Sequence, residues 1–305
     1  MWKTHHTPDE FCPDGFARKE YAYSVWEKCL ETVRSNEDSS SDWFIRKAAL
    51  TSSLDQVSDA HERYFLSAQE DALWKLEESQ FQYGEKSKEY SGWLYTEKLK
   101  GYTAVDKLRE KILATSLDDL CPYCNHRNVY DLDHFLPKEK FHLIAVNPWN
   151  LVPCCKECNT HKSAFFSSSK NEQFYHPYFS SVENMDWLKA RVVESVKPVI
   201  DFYVSEDLTE YHRINRIFEK LQLNRLYKSQ TARELLVFSR SFERLRHMPE
   251  PMVRQRVKNK LDELSNERDF LANDWRRAMF CALADSDWYC DVGFKSSWRN
   301  HSETA

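Results

Sequence analysis

The chain has 305 residues, 41% of them hydrophobic and 30% charged, with a formal net charge of -5. That length holds one large domain or two to three small ones and enough apolar material for a core. The bulk charge does not mark a nucleic-acid binder. The five glycines, at 15, 84, 92, 101 and 293, have neither dinucleotide-fingerprint nor P-loop spacing, which excludes phosphate cradles of those kinds. So few glycines also argue against an all-β fold with many tight turns, and a mainly helical fold is expected. No stretch approaches the ~20 apolar residues of a membrane span, and no leader-like segment opens the sequence, so a cytoplasmic, reducing location is expected.

In chain order, Ala22, Val25, Trp26, Cys29, Leu30 and Val33 recur at helical spacing and predict one amphipathic helix. A polar tract at 35–42 reads as a loop that supplies the next N-cap. From Trp43 to about Glu78 helix formers run without Pro or Gly, with Tyr64, Leu66, Leu73, Trp74 and Leu76 as apolar mass. A further helix is predicted over 104–116 on Val105, Leu108, Ile112 and Leu113. Residues 1–120 hold 16 Lys plus Arg against 23 Asp plus Glu, a net of -7, which does not suit a phosphate backbone. Beyond the central segment, Ala190–Ser195 and Val199–Val204 flank a Lys-Pro and predict a hairpin. Ile214, Ile217, Phe218 and Leu221 then restore helical spacing, and helix continues to about 285 with a break near Pro249 and Pro251. Residues 213–260 carry 13 Lys plus Arg against 4 Asp plus Glu, a net of +9. Such a run is a solvated helix face or, beside a segment that acts on nucleic acid, a phosphate-facing surface.

The middle of the chain differs. Of nine cysteines, five lie between 121 and 158. Cys121-Pro-Tyr-Cys124 and Cys155-Lys-Glu-Cys158 are two C-x-x-C knuckles with 30 residues between them, and together they offer four sulfurs to a tetrahedral structural zinc. A closed four-sulfur site has no open position for substrate, so this zinc organises the segment and does not catalyse. Cys154 and the remaining cysteines read as packed thiols.

Between and after the knuckles stand Asp131-Leu-Asp133-His134-Phe-Leu-Pro137-Lys138, Asn147-Pro-Trp-Asn150-Leu and Cys155-Lys-Glu-Cys158-Asn159-Thr-His161-Lys162. This segment, about 121–165, resembles the HNH endonucleases, or ββα-metal nucleases, in their zinc-stapled form. The continuation Phe174-Tyr-His-Pro-Tyr-Phe179 is similar to bacterial HNH proteins of comparable length, some of which are nuclease subunits beside an ATPase in anti-phage systems of the Septu type. The resemblance implies a hairpin bearing the first motif, a helix bearing the last, and a divalent ion between them. It implies His134 as general base, Asp133 and Asn159 as ligands of a catalytic Mg2+ or Mn2+, and Asn150 as the residue that braces the loop so that His134 is presented correctly. Asn159 stands where the family often has His. Lys162, three residues after Asn159 on the same helix face, and Lys138 are expected at DNA phosphates. Asp131 shares a strand face with Asp133 and reads equally as an aid to the ion or to the knuckle fold.

The expected architecture is mainly α with a small α+β insert: a helical region at 1–119, an HNH unit at 120–180, and a hairpin plus helices at 181–305. The expected activity is metal-dependent hydrolysis of DNA with a structural zinc. Expected partners are DNA, an ATPase subunit of a defence complex and a second copy of the chain, with no membrane. The alternative is a zinc-stabilised module that binds nucleic acid or protein and does not cut.

Overall fold

The computed structural model describes residues 4, 6–32, 41–99, 105–180, 182–240, 248–266 and 272–296. Val33 and most of the polar tract at 35–42 lie outside them. The described residues are mainly helical, with two small antiparallel sheets. Contacts divide the chain into two units, Met1–Ser181 and Val182–Ala305, so the helical N-terminal region and the knuckle segment belong to one unit.

In the first unit, α1 (Arg18–Glu31) buries Ala22, Val25, Trp26, Cys29 and Leu30 of the stripe read from the sequence, and Tyr21 beside them. The long run after Trp43 is two helices, α2 (Asp42–Ser52) and α3 (Leu54–Gln69). The Ser41 hydroxyl caps α2 by accepting from the Phe44 N–H at 3.3 Å. Ser53 interrupts the run, and its hydroxyl donates to the Leu50 carbonyl at 2.8 Å, a local bond of the kind that competes with helix propagation. Past α3 the backbone turns left-handed at Asp71 (φ 53°) and only short 3-10 turns follow, at Leu73–Lys75 and Glu78–Phe81. Leu66, expected as core, is 57% exposed. Next come α4 (Ser87–Leu94), a π-helical turn at Tyr95–Leu99, and α5 (Leu108–Leu113), which is shorter than the sequence predicts.

The small sheet pairs β1 (Asp131–His134) with β2 (Leu151–Cys154), in register Asp131↔Cys154 through His134↔Leu151, and α6 (Lys156–Lys162) follows at once. The N-terminal helices form the bed for this unit. Trp149, fully buried just before β2, meets the rings of Tyr21 at 6.0 Å and Phe65 at 5.2 Å edge-on, the arrangement aromatic quadrupoles favour. The Tyr64 hydroxyl donates to the Trp149 carbonyl at 2.9 Å and lies 2.9 Å from His176 Nε2. Ser87, at the head of α4, places its hydroxyl 2.6 Å from His142 Nδ1. The loop between β1 and β2 is therefore clamped by α1, α3 and α4.

In the second unit, β3 (Leu188–Val193) and β4 (Val199–Val204) form the expected hairpin. Ile200, Phe202 and Val204 turn inward, against α8 (Leu223–Arg240) and α10 (Trp275–Asp285). The Asn273 side chain accepts from the Trp187 and Leu188 N–H groups and donates to the Glu183 and Met185 carbonyls. Helix α7 (Tyr211–Lys220) buries Ile214, Ile217 and Phe218, and α9 (Glu250–Asn266) starts at the expected break, with Pro251 in its first turn, where a missing N–H is tolerated. Part of the basic run is spoken for. Arg213 is buried, Lys228 pairs with Asp201, and Arg254 pairs with Glu250 and Asp287. No helix among the described residues is long and apolar enough to cross a membrane.

Candidate functional site

Cys121, Cys124, Cys155 and Cys158 converge, with their sulfurs all within 4.8 Å of one another. Four thiolates at ~2.3 Å from a zinc stand ~3.8 Å apart, so this donor set fits a tetrahedral zinc. Local backbone explains the convergence. The Cys124 and Asn125 N–H groups both donate to the Cys121 carbonyl, and Asn125 takes a left-handed φ of 45°, which its short polar side chain tolerates. Cys155 is the N-cap of α6, and its sulfur accepts from the Cys158 N–H at 3.3 Å. Hydrogen bonds from Cys121, Cys124 and Cys158 lower the Cys155 thiol, while burial raises that of Cys121, so the four thiols share their protons as one cluster. Cys154 is buried, and burial pushes its thiol up. Among the described residues no other group of His, Cys, Asp and Glu clusters at metal-binding distance.

His134 ends β1, and its Nε2 lies 2.9 Å from the Ala145 carbonyl oxygen. A carbonyl can only accept, so the hydrogen is on Nε2 and Nδ1 is the basic nitrogen. Burial, and then the nearby Lys138 charge, lower the imidazole to about 3, so it is neutral throughout the physiological range. The Asn150 amide spans the loop. Its oxygen accepts from the Leu136 N–H at 2.8 Å, and its nitrogen donates to the Leu136 carbonyl at 3.0 Å and the Ile144 carbonyl at 3.4 Å. The residues so joined stand two after His134 and one before Ala145, so Asn150 holds together the strand end that carries the imidazole and the loop that orients it.

The opposite face of β1 meets α6 in an order the sequence does not reveal. Asp133 is buried and both its oxygens are engaged: the Lys162 ammonium lies 3.1 Å from one and 2.9 Å from the other, and the Tyr123 hydroxyl donates at 2.7 Å. Lys162, only 1% exposed, also donates to the His134 carbonyl at 2.8 Å. Asn159, one turn earlier, approaches Asp131 at 3.5 Å. Strand and helix thus pair Asp131 with Asn159 and Asp133 with Lys162. Asp133 and Asn159 are not joined to each other. Burial raises the Asp133 carboxyl above its ordinary range against the opposing pull of Lys162 and Tyr123.

As arranged, these residues do not offer Mg2+ or Mn2+ an open shell, because the one buried carboxylate is already neutralised by an ammonium. Lys162 is accordingly a buried structural cation here, and a phosphate contact would require it to leave Asp133. Lys138 lies at the surface, with its ammonium 2.7 Å from Glu139 and 5.9 Å from the Tyr95 ring centroid. Tyr95 itself, from the π-turn after α4, packs edge-on against His134 with centroids 4.4 Å apart. Sequence reasoning missed Tyr123, Tyr95 and the Ala145 carbonyl. The first sits inside the Cys121 knuckle and was open to notice. The other two reach the site only through the tertiary fold.

The fold and site define a β-hairpin and helix stapled by a four-cysteine knuckle and seated in a helical bed. Over 191 residues the chain is 26% identical to Protein ea31 of Escherichia phage lambda, an alignment covering 57% of this chain and 64% of that protein. Over 69 residues it is 35% identical to the Septu protein PtuB of Bacillus thuringiensis, covering 21% of this chain and 26% of that protein. The chain therefore spans less than two thirds of either relative. No protein-family model and no solved structure matches it.

Proposed function

We propose that the chain is an HNH-type endonuclease that hydrolyses DNA phosphodiester bonds, acting in bacterial anti-phage defence beside a partner ATPase. The observation that carries the reading is the imidazole of His134, with Nε2 satisfied by the Ala145 carbonyl and Nδ1 left as base, at the end of a hairpin stapled by four thiols. Likeness to a Septu protein supports the defence role. In the reaction, His134 Nδ1 takes a proton from water and the resulting hydroxide attacks phosphorus in line. The bond to the 3′ oxygen breaks, that oxygen takes a proton from a solvent water, and the His134 imidazolium returns its own proton to the hydroxide so formed, leaving 5′-phosphate and 3′-hydroxyl ends. Asn150 keeps the imidazole and its orienting carbonyl in place. A divalent ion, Mg2+ or Mn2+, enters this reading on condition that Lys162 yields Asp133.

The test is supercoiled plasmid incubated with the zinc-loaded chain in Mg2+, Mn2+ or EDTA, with DNA ligase added afterwards. Nicks that ligase reseals support the reading, and plasmid left intact under all three conditions overturns it. One observation favours the second reading, a zinc-stabilised binding module: the Asp133–Lys162 pair closes the carboxylate that a metal nuclease would need. A chain that binds DNA without cutting would establish that reading instead.

A further inference from the structure

A base that acts on a water poised at a phosphodiester must be reachable from the surface. His134 is 8% exposed, and the ring over it is that of Tyr95, itself 6% exposed, meeting the imidazole edge-on at 4.4 Å and 68°. Tyr95 belongs to the helical region, outside the hairpin and α6. It opens a π-helical turn at Tyr95–Leu99 directly after α4, an irregularity often found at functional sites. Burial raises the Tyr95 hydroxyl above its ordinary range, so it stays protonated, with the charges of Asp131 and Asp133 of β1 and Arg109 of α5 acting on it less strongly. Above the ring stands Lys138, its ammonium 5.9 Å from the centroid and 2.7 Å from Glu139. Lys138 is partly exposed, at 30% for its side chain, beside the more exposed Glu139 at 40%. The Lys138 ammonium, resting on the ring face and partly open to solvent, is a cation that an approaching phosphate can draw away.

We propose that Tyr95 is the gate of the His134 site, shut over the imidazole in the free chain and released when a nucleic-acid phosphate draws Lys138 off the ring. The inference rests on the nuclease reading for its purpose, while the closure itself is a property of the chain. It assigns the N-terminal helices a part in the site: they carry the cover that keeps a base from idle contact with water and substrate. Tyr95 acts through His134 and is a positioning residue.

The experiment is carbethoxylation of the zinc-loaded full chain by diethyl pyrocarbonate, read residue by residue by peptide mass spectrometry, with exposed His212 as internal reference and buried His61 and His176 as folding controls. In the native chain His134 is expected to react about tenfold or more slowly than His212. Tyr95→Ala brings it to within about threefold of His212, while Tyr95→Phe, which keeps the ring, stays protected. Lys138→Ala raises His134 reactivity as well, and it decides the matter if His61 or His176 becomes reactive in Tyr95→Ala, the sign of lost folding. Native His134 reacting as fast as His212 overturns the gate. So does an unchanged His134 in Tyr95→Ala with both controls protected, or in Lys138→Ala. Labelling is blind to cleavage, so a chain with this pattern that never nicks plasmid refutes the nuclease reading and not the gate. A chain that nicks plasmid with His134 fully reactive refutes the gate alone.

Discussion

Replacing Lys162 by Met removes the buried ammonium and keeps the length and bulk of the side chain. At 2.9 Å and an effective dielectric near 20, the attraction between Lys162 and Asp133 is about 6 kcal/mol before desolvation is counted. Both side chains are almost fully buried, 1% and 2% exposed, so desolvation offsets much of that in the intact pair. Removing one partner is different. Asp133 then keeps its desolvation cost with only the Tyr123 hydroxyl to satisfy it, the His134 carbonyl loses its donor, and the expected loss is about 3–5 kcal/mol. The double variant Lys162→Met with Asp133→Asn leaves no uncompensated charge and should be less destabilised than Lys162→Met alone. Because the chain has two units, the readout should belong to the first: the urea midpoint of zinc release, followed with a chromophoric chelator. A cost below about 1 kcal/mol, the range of exposed pairs, would refute the claim that this pair braces β1 against α6.

Cys124→Ser should release zinc and unfold the segment around the knuckles, since metal binding and folding are coupled; zinc content per chain and circular dichroism check it. Asn150→Ala should cost about 1–3 kcal/mol for each buried group it leaves unpaired at Leu136 and Ile144, seen as an earlier zinc-release midpoint in urea. Burial lowers His61 to about 4 and His176 to about 3, so the unfolded chain binds more protons than the folded one between those values and ~6.5. Stability of the first unit should therefore be fully present above pH ~6.5 and fall on acidification at about 1.4 kcal/mol per pH unit for each histidine, a trend that urea titrations at pH 7.0, 6.0 and 5.0 would expose.

Much of the fold is legible in the sequence where a pattern is local. The stripe on α1 and the hairpin strand Val199–Val204 follow from periodicity, and the two knuckles follow from spacing alone, because two thiols on one turn need no distant information. The run after Trp43 misleads because Ser53 gives no warning: a serine hydroxyl that turns back to Leu50 breaks the helix, and composition does not record where such a bond forms. The site divides in the same way. His134, Asn150 and the cysteines are placed by their motif. The partnership of Asp133 with Lys162 is not, since it depends on how far α6 slides along β1, which offers Asp133 either Asn159 or the residue a turn later. Tyr95 arrives from 39 residues before His134, and no spacing rule reaches that far.

The central claim is that one imidazole, oriented by a backbone carbonyl, does the proton transfer. Single-turnover nicking of a supercoiled plasmid by the native chain and by His134→Ala, at matched zinc content, tests it most directly. A fall of about 10²–10⁴ in the mutant rate with zinc retained is the predicted result. Equal rates for the two proteins would contradict it.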